Sequence, residues 1–120
     1  MATFEETLVS VIEVGSDIKC YPLEKPQGIS TPVAVYRRIS TGRGRVHGVK
    51  STFNRVRMSV VVYGRTYADV RAAVSTINGL LDENKTSFSL AYLSDQQDFI
   101  EPDAGLFFTY LEYVLFGHMD

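Results

Sequence analysis

The run Leu106-Phe107-Phe108-Thr109-Tyr110-Leu111-Glu112-Tyr113-Val114-Leu115-Phe116 restricts the fold of this chain more than any other segment. Its aromatic and β-branched residues suit a strand, whose side chains alternate between two faces. Phe107, Leu111 and Leu115 fall on one face, and Leu106, Phe108, Val114 and Phe116 on the other. A strand apolar on both sides needs a cover on each. Helices of the same chain supply one cover, and the reading assigns the other to a neighbouring subunit. With 120 residues, the chain is expected to form one domain, 1–120, around one core.

The remaining elements follow from periodicity and punctuation. Phe4, Leu8, Val11 and Ile12 mark a short amphipathic helix over 3–14, with Thr3 and Glu6 spaced as a capping box. Gly15-Ser16-Asp17 ends it, and Pro22, Pro26, Gly28 and Pro32 predict an irregular connection. Val33 to Ile39 reads as a strand entered after a proline. The glycine-rich stretch Thr41 to Ser51 reads as a mobile loop. Phe53 to Tyr63 alternates Val56, Met58, Val60 and Val62 against Arg55, Arg57, Ser59 and Val61, the pattern of a half-buried strand. Thr66 then caps a second helix with Val70, Val74, Ile77 and Leu81 inward and Asn78 among the outward residues. Thr86 to Leu93 is a further strand, separated from the last by an acidic connection, Ser94 to Gly105. The expected fold class is α/β (α+β): a mainly antiparallel four-stranded sheet with two helices on one face, in the order α-β-β-α-β-β.

No segment carries recognisable catalytic chemistry. His47 and His118 are the only imidazoles and lack a second ligand at helical spacing. Gly42-Arg43-Gly44-Arg45-Val46-His47-Gly48 lacks the ending of a phosphate loop and leads into a strand. Asp95-Gln96-Gln97-Asp98 with Glu101 and Asp103 does not match a calcium loop, and no serine sits in a nucleophile elbow. The expectation is a protein that is not an enzyme and has no cofactor. Cys20 is a lone thiol. The acidic N-terminus is unlike an export signal, and no stretch approaches the ~18 apolar residues of a membrane span, so no membrane partner is expected.

Charge is unevenly distributed although the net is only −2. Arg37, Arg38, Arg43, Arg45, Lys50, Arg55, Arg57 and Arg65 occur without an intervening acid, whereas from Asp82 onward eight acids face a single lysine, Lys85. Arg43, Arg45, Lys50, Arg55 and Arg57 are therefore assigned to a positive ridge that meets a partner. A nucleic-acid module using hairpin 37–65, and a hairpin balanced by acids of its own subunit, are the competing readings. Basic and acidic surfaces of adjacent subunits would register an assembly.

Pro32-Val33-Ala34-Val35-Tyr36-Arg37-Arg38-Ile39, then Met58-Ser59-Val60-Val61-Val62-Tyr63-Gly64 leading into Thr66-Tyr67-Ala68-Asp69-Val70-Arg71, and the closing apolar strand, give a sequence that resembles the tail-completion or tail-terminator proteins of long-tailed bacteriophages. The resemblance implies a virion protein at the head–tail interface, made in the host cytoplasm. It implies a homo-oligomeric ring, typically a hexamer, that caps the tail tube protein, stops its polymerisation and offers its other face to the head connector protein. DNA would only pass through the lumen. A head–tail connector or adaptor is the alternative within virion structure.

Overall fold

The computed structural model describes residues 3–16, 18–22, 32–46, 49–101 and 106–118, with backbone alone at 43–46, 49–53, 100–101 and 106. Helix α1, Phe4–Gly15, starts where Thr3 Oγ1 accepts the Glu6 N–H at 3.2 Å. This is one half of the expected capping box. Helix α2, Tyr67–Leu81, starts in the same way, with Thr66 Oγ1 accepting the Asp69 N–H at 3.1 Å. Both caps satisfy amide groups that a helix start leaves without an internal partner.

Among the described residues five strands, rather than four, form the sheet: β1 Lys19–Pro22, β2 Val33–Val46, β3 Val49–Gly64, β4 Leu90–Glu101 and β5 Leu106–Gly117. They lie in the spatial order β1-β2-β3-β5-β4, with β1 parallel to β2 and every other pair antiparallel. The expected four-stranded sheet and its order α-β-β-α-β-β are thus corrected to a mixed sheet and the order α-β-β-β-α-β-β. The extra strand lies in the stretch read as irregular connection. It is four residues long and ends on Pro22, too short for an alternation to register. A proline is tolerated there because β1 is an edge strand.

Two further boundaries move. The glycine-rich stretch read as a loop is strand in its described residues: β2 continues through Gly42 and Gly44 to Val46, and β3 begins at Val49. Cross-strand pairing outweighs the weak strand preference of glycine, with register shifts at Arg38/Ser40 and Arg43/Arg45 absorbing the irregularity. The acidic segment expected to connect the last strands is itself strand as far as Glu101, and β4 runs from Leu90 to Glu101 instead of from Thr86 to Leu93. Asn84 organises the turn before it, accepting the Thr86 and Ser87 N–H groups at 3.0 and 2.9 Å.

Both helices pack on one face of the sheet. Phe4, Leu8 and Ile12 of α1 and Val70, Ala73, Val74, Ile77 and Leu81 of α2 join Val56, Met58, Val60 and Val62 of β3 and Leu111, Tyr113 and Leu115 of β5 in one buried cluster. Tyr113 is fully buried, and its hydroxyl donates to Asn78 Oδ1 at 3.1 Å. Asn78, read as outward, instead supplies the partner that a buried phenol needs. Burial drives the Tyr113 pKa upward.

Gly64 closes the join between β3 and α2, because a Cβ there would lie 2.7 Å from Val70 Cγ2. Gly64→Ala is expected to cost about 1–3 kcal/mol through overpacking. Gly79 is the opposite case: it lies inside α2 with nothing within 4 Å of an added Cβ. Gly79→Ala should therefore raise stability by roughly 0.5–1 kcal/mol. Urea unfolding of the two variants, read as midpoint shifts in opposite directions at unchanged slope, checks both.

Candidate interaction surface

The helix-free face of the sheet follows from the same alternation that builds the core. On β5 it carries Phe108, Tyr110, Glu112, Val114 and Phe116, and the register places these opposite Tyr63, Val61, Ser59, Arg57 and Arg55 of β3. No helix or second sheet covers this face among the described residues. Neighbouring side chains give partial cover: Val114 is 6% exposed, whereas Phe99 and Tyr92 on β4 are 44% and 38% exposed. Aromatic rings pair across the strands. Tyr63 and Phe108 have centroids 5.4 Å apart, Phe99 and Phe108 are stacked at 5.2 Å, and Tyr92 and Phe116 at 6.3 Å. Cross-strand aromatic pairs stabilise the sheet and leave a broad surface of apolar edges.

A polar row crosses this aromatic face. Arg37 of β2 pairs in register with Ser59, Ser59 with Glu112, and Glu112 with Asp95. Glu112 is 8% exposed, and its carboxylate accepts hydrogen bonds from the Arg57 guanidinium and from the Tyr110 hydroxyl. The bond to Glu112 raises the Arg57 pKa, while burial first and then Glu112 raise that of Tyr110. A buried carboxylate needs such partners, and the pair neutralises charge within the subunit.

Of the five residues expected to form one ridge, Arg55 and Arg57 have described side chains. Arg55 and Arg57 share the helix-free face, as expected, but Arg57 is bound to Glu112. Arg55 lies beside Gly42, whose added Cβ would meet Arg55 Nε at 3.7 Å. By register, Arg43 sits opposite Asn54 and Arg45 opposite Lys50. The side chains of Arg43, Arg45 and Lys50 lie outside the described residues, as does His47. These strand segments extend beyond the last pair between β3 and β5, Asn54 with Gly117, and make a two-stranded arm. The chain measures 52 Å along its longest axis against 25 and 22 Å in the other directions. Arg38, also in the basic segment, bonds the Glu5 carboxylate and lies over the Phe4 ring at 5.7 Å.

Little else converges. No three His, Cys, Asp or Glu side chains are grouped to hold a metal ion among the described residues. A hollow of about 410 Å³ between the end of α1 and α2 has Asp69 as its charged lining residue, beside Ser16 and Thr76. No described helix is long and apolar enough to cross a membrane.

The sequence matches no protein-family model and no curated protein. The fold, however, is shared with a virion chain. A chain in the solved structure "Virion of native gene transfer agent (GTA) particle" superposes with a TM-score of 0.63, over 91% of this chain and 82% of that one. Identity is 9%, so the likeness is one of fold.

Cys20 is half-buried at the sheet edge, where its N–H donates to Glu13 Oε2 at 2.9 Å. Burial, and then the Glu13 charge, push the thiol pKa up to about 12. An unfolded cysteine ionises near pH ~8.5. The unfolded chain therefore binds fewer protons above that point, so the contribution is full below it and is lost as pH rises toward the folded value. Two outcomes are expected: slow thiol labelling of the native protein at pH 8, and a fall in urea stability between pH 8 and 11 that Cys20→Ala makes shallower.

Proposed function

We propose that this chain is a structural protein of a phage-type virion, acting by assembly and not by catalysis. The observation that carries the reading is the fold shared along nearly its whole length with a chain of a virion particle. The helix-free aromatic face supports it, since a surface of this kind on a small domain favours burial against another protein surface. Within the virion, the role proposed is that of a tail terminator: a ring, taken as a hexamer, that caps the tail tube, halts addition of tube subunits and receives the head.

The mechanism needs only occlusion and complementarity. A ring seated on the growing end covers the surface that the next tube ring would use. The two-stranded arm is suited to reach an adjoining layer, because it projects past the body and its segment carries Arg43, Arg45 and Lys50 without an acid. Lining up charge on two surfaces speeds encounter and fixes orientation more than it adds affinity.

Purified protein mixed with its tail-tube subunits and followed by electron microscopy tests the role. Tubes should stop at short, capped lengths, with a ring of this protein at one end. Tubes that grow equally long with and without it would remove the terminator role. Weak DNA binding is expected beside this, since Arg57 and Arg38 are already engaged by carboxylates. Tight binding that collapses with salt would favour a nucleic-acid module instead.

A further inference from the structure

Strand β4 is the last strand of the sheet, with β5 along its inner side. Its outer side is closed at the start, where Ala91 N–H donates to Asn84 O at 3.0 Å and Leu93 N–H to Asp82 Oδ1 at 2.9 Å. That cover ends at the register shift between Leu93 and Asp95. In an antiparallel ladder every second residue turns its N–H and C=O away from the neighbour. The outward groups of Ala91 and Leu93 are therefore continued, one place later because of the shift, by those of Gln96, Asp98 and Ile100. The Gln96 N–H is taken by the Asp95 carboxylate at 2.9 Å. Among the described residues, no group pairs with the outer backbone of Asp98 or Ile100.

The side chains beside this open stretch are acidic and aromatic. Residues Asp95 to Phe99 are all exposed, so the strand is uncovered on both faces. On the helix-free face, Asp95 accepts from the Gln96 N–H and from the Gln97 amide at 3.0 Å, and has no ion-pair partner among the described residues. Phe99 on the same face stacks on Phe108 and keeps 44% of its surface exposed. On the other face, Tyr67 of α2 is 50% exposed, packs edge-on against Phe107 at 6.2 Å and donates its hydroxyl to Asp98 at 3.5 Å. An exposed ring thus flanks the open backbone on each side of the sheet. Asp98 is already engaged by Thr109 and Arg71, which leaves Asp95 as the described carboxylate of this strand open to a partner. The strand holds Asp95, Asp98 and Glu101 and no base. Charges of one sign along an edge penalise its pairing with the same edge of another copy, and favour a basic strand.

We propose that the β4 edge from Asp95 to Ile100 takes up an extended basic segment of another protein as an added antiparallel strand. The contact goes beyond the virion role proposed above and does not depend on it. Backbone bonds to Asp98 and Ile100 supply affinity, and alternate side chains of the segment supply selectivity. Asp95 and Phe99 stand at positions where the facing strands exchange no backbone bonds, and there opposed side chains approach most closely. The segment therefore places a lysine or arginine against Asp95 and, four residues earlier in its own sequence, an apolar or aromatic side chain against Phe99.

A synthetic peptide tests this. It has about nine residues, an ordinary strand length, and is rich in threonine, with a phenylalanine four positions ahead of a lysine. Titrated into the isotope-labelled full chain and followed by nuclear magnetic resonance, it should bind saturably with a dissociation constant below about 1 mM. Shifts should centre on Asp95 to Ile100, and exchange of the Asp98 and Ile100 N–H groups should slow. Methylating the peptide nitrogens that face Asp98 and Ile100 should weaken binding about tenfold or more, whereas methylating those that face Gln97 and Phe99 should leave it within about threefold. Glutamate for lysine in the peptide, or Asp95→Lys in the protein, should each weaken binding about fivefold or more, and the two together should restore it to within about threefold. Circular dichroism and melting temperature control for the fold of the variant. Absence of saturable shifts at 95–100, equal loss from the two methylated peptides, or a charge swap that fails to restore binding overturns the proposal. So does sedimentation showing that the unaltered protein already dimerises through this edge. Tube capping by the unaltered protein is read separately and bears on the terminator role alone.

Discussion

Strand β5 is the member on which the rest of the structure depends. It pairs with β3 from Asn54↔Gly117 to Gly64↔Phe107, and with β4 along its other edge, so its backbone is satisfied on both sides. Its inward face, with Leu111, Tyr113 and Leu115 fully buried, is the floor on which α2 rests. Each such side chain contributes roughly 1.5–3 kcal/mol through burial. The outward face is nearly as apolar but has no helix above it among the described residues. A small two-layer domain can cover one side of its sheet, and this one leaves the second side to aromatic pairing and to whatever binds there.

Polar groups on and around that strand are handled in two ways. Three buried ones are paired within the subunit: Tyr113 with Asn78, Glu112 with Arg57 and Tyr110, Thr109 with Asp98. Where they reach a sheet edge, as at Arg37 and Asp95, they are exposed and of opposite sign. The first arrangement avoids the desolvation penalty of an unpaired buried group. The same alternation thus serves the core on one face and places complementary charges at the two margins of the other.

The candidate surface was visible in the sequence only in outline. The two apolar faces of 106–116 foretold a helix-covered side and an uncovered one, and the alternation at 55–62 placed Arg55 and Arg57 on the latter. The ridge joining them to Arg43, Arg45 and Lys50 rests on side chains outside the described residues. Arg37 and Asp95 could not be linked from sequence at all. They are far apart along the chain, and the row between them exists only through three successive strand registers.

The helices and the two long central strands were determined by sequence alone, since their apolar spacing and threonine caps act within a few residues of one another. Tertiary structure decided the rest. β1 is a strand because β2 offers it an edge, the glycines at 42 and 44 are extended because β3 pairs beside them, and the acidic segment 95–101 is extended because β5 pairs along it. Local preference in these segments is weak or contrary. Backbone hydrogen bonds to a neighbouring strand outweigh it, and which strand becomes the neighbour is fixed only when the whole chain has packed.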